Sequence, residues 1–402
     1  MEKITKRNLA IMWFANFFIA GSMTMVIPFL SLYIETFGNF SDKYVQNWSG
    51  WVFAITFMTA FIFSPIWGRF GDYYGRKKFL IIAGIGLSIS VFLMGFVTNV
   101  IQLFFLRMFM GLFSGFISTA QALISTQTPK KDAGRVLGTL QTGNVTGTLL
   151  GPLLGGVIAD TFGYSMTFLV TSVPLILASV LVIFGVKEYK LESKEETETK
   201  YSRKEVIQHI WRSPVLLMVM FISIIVQVAH FSIQPILSLY VGELHGPANL
   251  AFFSGLAFSI TGLGNLLMAR RWGRLADRFS HEKILVLLLF CAAIVYFPGG
   301  FVTNIWQLVV IRFLLGITLG GIIPVRVAFI RQAAPISIQG EVLGYNTSLR
   351  FLGNMLGPLL GGLISGYFGI SSVFFVSSTL LFLAGVSFFI TLQRHPDPVN
   401  QY

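Results

Sequence analysis

Twelve stretches of this chain are almost wholly apolar, and the charged residues gather between them. They run over about 9–36, 48–70, 79–98, 101–126, 134–160 and 164–186, then over about 214–241, 250–271, 284–303, 305–330, 340–366 and 371–392. An α-helix needs ~20 residues to cross a hydrocarbon layer, and these runs are of that length. The pattern predicts an all-α polytopic membrane protein with twelve transmembrane helices, six on each side of a polar stretch. That stretch, Lys187 to Arg212, carries seven basic and six acidic residues with little apolar content. It divides the chain into an N-terminal six-helix bundle (1–186), a linker (187–213) and a C-terminal six-helix bundle (214–402).

The fifth span is the most patterned. Gly143, Gly147, Gly151 and Gly155 recur every four residues, with Gly156 beside the last. On a helix this spacing makes a stripe without side chains, against which a neighbouring helix approaches almost backbone to backbone. Pro152 lies within the stripe and bends the helix. The words return in the eleventh span as Gly353, Gly357, Pro358, Gly361 and Gly362. Other words repeat at spacings of 205 to 207 residues: PFLSLY at 28–33 with PILSLY at 235–240, WGRFGD at 67–72 with WGRLAD at 272–277, and RMFMGLFSG at 107–115 with RFLLGITLG at 312–320. The chain reads as a tandem duplication, two pseudo-symmetric bundles the same way up. Parallel halves enclosing a midplane cavity are a transporter architecture.

Composition sharpens this picture. The 402 residues are 54% hydrophobic and 11% charged, with a mean hydropathy of +0.74. The net charge of +12 would suggest nucleic acid in a soluble protein, but the positive-inside rule accounts for it here. Lys3, Lys6 and Arg7 precede the first span; Arg69, Arg76, Lys77 and Lys78 follow the second; Lys130, Lys131 and Arg135 join the fourth and fifth; Arg270, Arg271, Arg274, Arg278 and Lys283 join the eighth and ninth. The opposite side carries Lys43, so both termini are expected in the cytoplasm. Cys291 is the single cysteine, which excludes a disulfide framework or a cysteine metal site. The N-terminus reads as a retained first span because no small-residue cleavage site follows it.

The polar residues inside the spans are the candidates for chemistry. Asp72 and Arg76 stand at i and i+4 around a tight turn, with Gly68 allowing close helix contact and Gly75 free to take positive φ. The second copy keeps Gly273 and Asp277. A carboxylate there facing a helix N-terminus would latch the molecule in one state; the alternative is a surface ion pair in a topology-setting loop. Arg107 lies inside the fourth span, where charge is costly and functional by default, and Ser114, Ser118, Gln121 and Ser125 continue its face. The seventh span carries Ser223, Gln227, His230 and Gln234 on one stripe; His230 suits substrate binding or proton handling, and a polar core role is the alternative. Arg312, Arg326 and Arg350 have no acid within the second-half spans, which suggests a positive cavity for carboxylate- or phosphonate-bearing substrates, or else pairing with carbonyls and helix C-termini. Arg350 lies in a polar run with Asn346, and Gln141, Thr142 and Asn144 are the fifth-span counterpart. In the first span Asn16 sits among Phe14, Phe17, Phe18, Met23 and Met25, candidates for an adaptable apolar wall. No second histidine or carboxylate beside His230 has metal-ligand spacing.

These words resemble the major facilitator superfamily across nearly the whole chain. GRFGDYYGRKK (68–78) is similar to the family signature G-x-L-A-D-x-x-G-R-K-K, with Phe70 and Gly71 where Leu and Ala are usual; the second copy has Ser280 and His281 in place of the later glycine and arginine. The stripe from Gly143 to Gly156 matches a motif of antiporting exporters, G-x-x-x-G-P-x-x-G-G. Together with NxWSGxVFxITF and IxTQxPK, the chain resembles bacterial exporters of the drug:proton antiporter-1 subfamily, of the MdtG and PmrA type. The resemblance implies a monomer in the bacterial cytoplasmic membrane that exports amphiphilic drugs, such as fluoroquinolones and dyes, with no cofactor and H+ as coupling ion. Arg107, Gly111 and Gly115 resemble the family's fourth-span motif, and proton movement suggests a titratable acid; those near the spans lie at membrane edges, Glu35, Asp160 and Glu341, of which Glu35 is the first choice, with Asp72 and His230 as alternatives. An exporter of one physiological solute, or a lipid flippase, is the other reading. HExxH, GxSxG and phosphate-loop motifs are absent, so an enzyme is not expected.

Overall fold

The computed structural model describes residues 3–128, 132–188, 203–334 and 338–395. Lys130, Lys131 and most of the expected linker lie outside these residues, as does the side chain of Asp72. Every regular element described is helical: α1 (Lys3–Met25), α2 (Leu30–Glu35), α3 (Asp42–Tyr74), α4 (Arg76–Met94), α5 (Val100–Leu112), α6 (Phe116–Thr126), α7 (Ala133–Phe162) and α8 (Tyr164–Gly185), followed by α9 (Arg203–Arg212), α10 (Pro214–Ser232), α11 (Leu237–His245), α12 (Leu250–Phe279), α13 (His281–Tyr296), α14 (Ile305–Ala333), α15 (Gln339–Phe368) and α16 (Ile370–Arg394). They include twelve helical segments long and apolar enough to cross a membrane, among them Ile4–Glu35 (α1 with α2) and Val100–Thr126 (α5 with α6).

The differences from the apolar pattern have local causes. The first run breaks at Pro28, where a short 3-10 turn (Ile27–Phe29) separates α1 from α2. The seventh breaks near Pro235, the matching position of the repeat, separating α10 from α11. Proline supplies no N–H and its ring crowds the carbonyl four residues back, so a continuous helix is lost at both places. The fourth run breaks at 113–115, between α5 and α6. The second run starts earlier than its apolar residues because Ser41 Oγ accepts the Tyr44 N–H and caps α3. The polar stretch also contributes a packed element: α9 buries Val206 and Ile210 while Ile207 and Trp211 stay exposed.

The chain forms two compact units. The first comprises residues 1–194 with 235–259, the second 195–234 with 260–402. In the first, Phe29, Tyr33, Phe116 and Phe168 are buried at the centre, and Tyr33 Oη donates to Met94 O at 3.0 Å. In the second, Leu288, Tyr296, Phe329, Phe374 and Phe388 fill the interior, and Tyr296 Oη donates to Ala229 O at 3.2 Å. Large apolar side chains such as Phe92, Phe105, Leu177, Leu314 and Phe382 remain exposed. For a membrane-spanning chain these face hydrocarbon, which they suit as well as a protein core.

Hydrogen bonds repeat along with the words. Trp67 Nε1 donates to Leu112 O in the first unit and Trp272 Nε1 to Ile317 O in the second, each across 45 residues of sequence. Asn99 caps α5 through the Gln102 N–H at 2.9 Å, and Asn304 caps α14 through the Gln307 N–H at 3.0 Å.

Candidate functional site

In each unit a glycine stripe brings two polar-bearing helices together. A Cβ on Gly143 would lie 2.6 Å from Trp13 O and one on Gly147 2.5 Å from Phe17 O; on Gly151 and Gly155 it would overlap the carbonyls of Gly21 and Met25. The glycines of α7 thus meet successive carbonyls of α1 at the same four-residue step. In the second unit, Gly353 and Gly357 meet Ile224 O (2.8 Å) and Val228 O (2.9 Å), and Gly361 meets Ser232 O, joining α15 to α10. The far end of α7 receives a third helix: Gly156 lies against Ala251, and Gly255 against the Pro152 carbonyl. Asp160 completes that contact, with Oδ1 accepting the Ala251 N–H at 3.0 Å and Oδ2 the Phe252 N–H at 2.8 Å. The carboxylate satisfies free donors of the first turn of α12 and complements its dipole.

Arg107 is the buried charge of the first unit, 4% exposed. Its Nε donates to Val52 O at 3.4 Å, Nη1 to Met110 Sδ at 3.6 Å, and the guanidinium lies 5.5 Å from the Phe53 ring centre. Backbone, sulfur and ring thus hold the cation. On α6, Ser118 bonds back to Gly115 O, and Gln121 Nε2 donates to Gln141 Oε1 of α7 at 2.9 Å. Asn144 is half-buried on α7. Asn16 is wholly buried on α1, and neither end of its amide has a hydrogen-bond partner. Of the apolar residues near it in sequence, Phe14 is exposed and Met25 is committed to packing, its sulfur accepting from Thr171.

At the end of the first unit that bears Arg76, the turn is held from a side the sequence did not indicate. Gly75 takes φ +101°, and Glu188 bridges the first two N–H groups of α4, Arg76 N at 2.8 Å and Lys77 N at 3.1 Å. Arg76 Nη1 reaches Ala122 O at 2.5 Å and Thr126 Oγ1 at 3.2 Å. Asn8 and Gln127 hold the backbone of Lys187, with Asn8 Nδ2 donating to Lys187 O at 2.7 Å. Gly68 is open, with no described atom within 4 Å of a Cβ built there, and lines a groove of about 210 Å³ with Trp67, Gly71, Arg76 and Ser118. At the other end Glu35 is exposed, within electrostatic reach of Asp42, which also acts on Glu243. Burial, and then Asp42, push the Glu243 carboxyl above its ordinary value.

The second unit holds a longer polar seam. Gln227 Nε2 donates to Asn354 Oδ1 at 2.8 Å, Ser223 Oγ to Asn346 Oδ1, and Gln234 and His230 meet through Nε2 atoms 3.4 Å apart. Arg312 is buried, within electrostatic reach of both His230 and Tyr296. Arg326 is 0% exposed. Arg350, half-buried, lies one turn from Asn346 on α15. The second copy of the loop keeps its conformation without glycine: Ser280 takes φ +118°, and His281 Nε2 lies 3.4 Å from Asp277 Oδ1. Gly273 is as open as Gly68. Among the described residues, no three His, Cys, Asp or Glu side chains group as metal ligands would.

Twinned hydrogen bonds, paired glycine ladders and twelve spans describe a duplicated membrane transporter, and the family model of the Major Facilitator Superfamily matches residues 12–298 and 251–401. The chain belongs to the Major Facilitator Superfamily. This major facilitator is 56% identical over 383 residues to the uncharacterized MFS-type transporter YuxJ of Bacillus subtilis (strain 168), covering 95% of this chain and 97% of that one. It is 40% identical over 391 residues to the multidrug resistance protein MdtG of Dickeya zeae (strain Ech586), covering 97% of this chain and 95% of its relative. Among solved structures, a bacterial homologue of the human lysosomal transporter Spinster, in an inward-facing and unoccupied conformation, matches with a TM-score of 0.84 at 13% identity over 99% of each chain. The D-xylose–proton symporter matches with a TM-score of 0.75 at 15% identity, over 96% of this chain and 98% of that one.

Proposed function

We propose that this major facilitator is a drug:proton antiporter that exports amphiphilic drugs, fluoroquinolones and dyes among them, by alternating access. The observation that carries the reading is the identity of 40% across 97% of the chain to a multidrug resistance protein. The α1–α7 ladder adds to it, since it is built from the glycines that the exporter motif specifies. The basic loops support a bacterial cytoplasmic membrane location with both termini inside, and the working unit is a monomer. In this reading Gly68, Asp72, Arg76, Gly273 and Asp277 govern the switch between states. Glu35, Arg107 and His230 couple it to inward proton flow. The residues assigned to substrate are Asn16, Ser118, Gln121, Asn144, Gln227, His230, Gln234, Arg312, Arg326, Asn346 and Arg350.

The test uses purified protein in liposomes under an imposed proton gradient, following ethidium, a zwitterionic fluoroquinolone and an anionic drug, with Arg107→Ala as control. Gradient-driven movement of several compounds, lost in the control, is expected. If folded protein moves none of them, the multidrug reading fails and a dedicated solute or lipid takes its place.

A further inference from the structure

Resting on that exporter reading, the geometry points to an oxyanion-binding subsite formed by Arg326 and Arg350 in the second unit, which receives the carboxylate or equivalent acidic group of an amphiphilic substrate. The structure separates the three second-half arginines. Arg312 is engaged near Tyr296 and His230. Arg326 is not: it is wholly buried on α14, and its Nε, Nη1 and Nη2 atoms all lack a hydrogen-bond partner. The Nε of Arg350 is likewise buried and unpartnered, and its charge acts on Arg326.

Two cations placed within reach of each other, one of them wholly buried, repel and are poorly solvated. The acids described in this unit, Glu205, Asp277, Glu282 and Glu341, all stand in the first or last turn of a helix. The neighbouring amides are committed: Asn346 to Ser223 and Asn354 to Gln227. These pairs flank Arg350 one turn away on either side along α15, and each asparagine oxygen already accepts a hydrogen bond from α10. A planar guanidinium offers a fork of donors that matches two oxygens of an oxyanion. Arg350, only half-buried, is the point of first contact, and Arg326 behind it is the desolvated donor that fixes the group.

The experiment compares a carboxylate with its ester in the full-length protein. Norfloxacin and norfloxacin methyl ester are titrated by their own fluorescence against protein in phosphatidylcholine nanodiscs, at equilibrium and without a gradient. The wild type is expected to favour the carboxylate by ~10- to 100-fold, the range that charge-assisted hydrogen bonds supply. That ratio is expected to approach unity in Arg326→Gln and to recover in part in Arg326→Lys. If Arg326→Gln does not fold, Arg350→Gln carries the test, with the ratio falling several-fold. Equal affinity in the wild type, or an unchanged ratio in the folded glutamine variants, overturns the subsite. Repeating the titration with phosphatidylglycerol distinguishes the source of the oxyanion: if that lipid removes the carboxylate preference of the wild type, the arginines serve a lipid headgroup and the substrate assignment is overturned. Ethidium efflux reports on the exporter reading separately. Efflux without a carboxylate preference overturns only the subsite, and a preference without efflux overturns only the exporter.

Discussion

Replacing Gly147 by alanine tests how tightly the α1–α7 ladder is packed. The added carbon would stand 2.5 Å from Phe17 O, 2.8 Å from Gly21 N and 3.1 Å from the Ala20 Cβ, where ordinary contact begins at 3.4 Å. Two of these are backbone atoms of a helix, which cannot rotate away as a side chain does. The helices must therefore part by about 0.9 Å, the shortfall at the closest atom. A gap of ~0.5–1 Å forfeits a quarter to a half of the dispersion energy across it, and overpacked sites of this kind cost ~1–3 kcal/mol. Alanine also gains ~0.5–1 kcal/mol in helix propensity, so a net loss of ~1 kcal/mol is expected. Gly138, on the same helix, has no described atom within 4 Å of its Cβ position. There only the propensity gain remains, and Gly138→Ala should stabilise by ~0.5–1 kcal/mol. Equilibrium unfolding in mixed micelles of mild detergent and SDS reads both. Opposite signs support the ladder; a Gly147→Ala protein as stable as the wild type, or a larger loss at Gly138, refutes it.

The loop before α13 offers a second pair. Ser280 holds a backbone conformation that costs a non-glycine residue ~1–3 kcal/mol, and its capping contact to the Lys283 N–H is long at 3.5 Å. Ser280→Gly should therefore raise stability by ~0.5–1 kcal/mol while Ser280→Ala lowers it; thermal unfolding that ranks alanine above glycine would contradict the assignment. Asp160→Ala removes the cap of α12, worth ~0.5–2 kcal/mol. Amide hydrogen exchange at Ala251 and Phe252 should then quicken by ~2- to 30-fold, and unchanged exchange would show the cap to be idle.

Much of the fold can be read in the sequence, for reasons visible in particular residues. Twelve spans follow from apolar length, and the pairing of copies from repeated words whose hydrogen bonds also repeat, as at Trp67 and Trp272. The breaks at Pro28 and Pro235 were also signalled, because both prolines open the repeated words PFLSLY and PILSLY; apolar content hid them. Other features have no local signature. Glu188 sits among linker charges that look interchangeable, and only folding brings it to the first turn of α4. Asn8 and Gln127 lie far apart in sequence and carry no periodic mark. Ser280 was legible as a departure from glycine, but not that it keeps glycine's φ. The three second-half arginines are equivalent in sequence, and only the folded surroundings of their nitrogens tell Arg312 from Arg326.

The four-residue step shared by α1 and α7 sets how the two can move. Four residues advance an α-helix by ~6 Å, so the next register in which every glycine faces a carbonyl lies a full step away. A shorter slide would carry carbonyls of α1 toward the side chains between the glycines, Asn144, Thr148 and Pro152 among them. The pair therefore behaves as an engaged rack: it passes a push along its length without slipping, and whatever bends when this protein works bends elsewhere, at interruptions such as Pro28 where no such teeth engage.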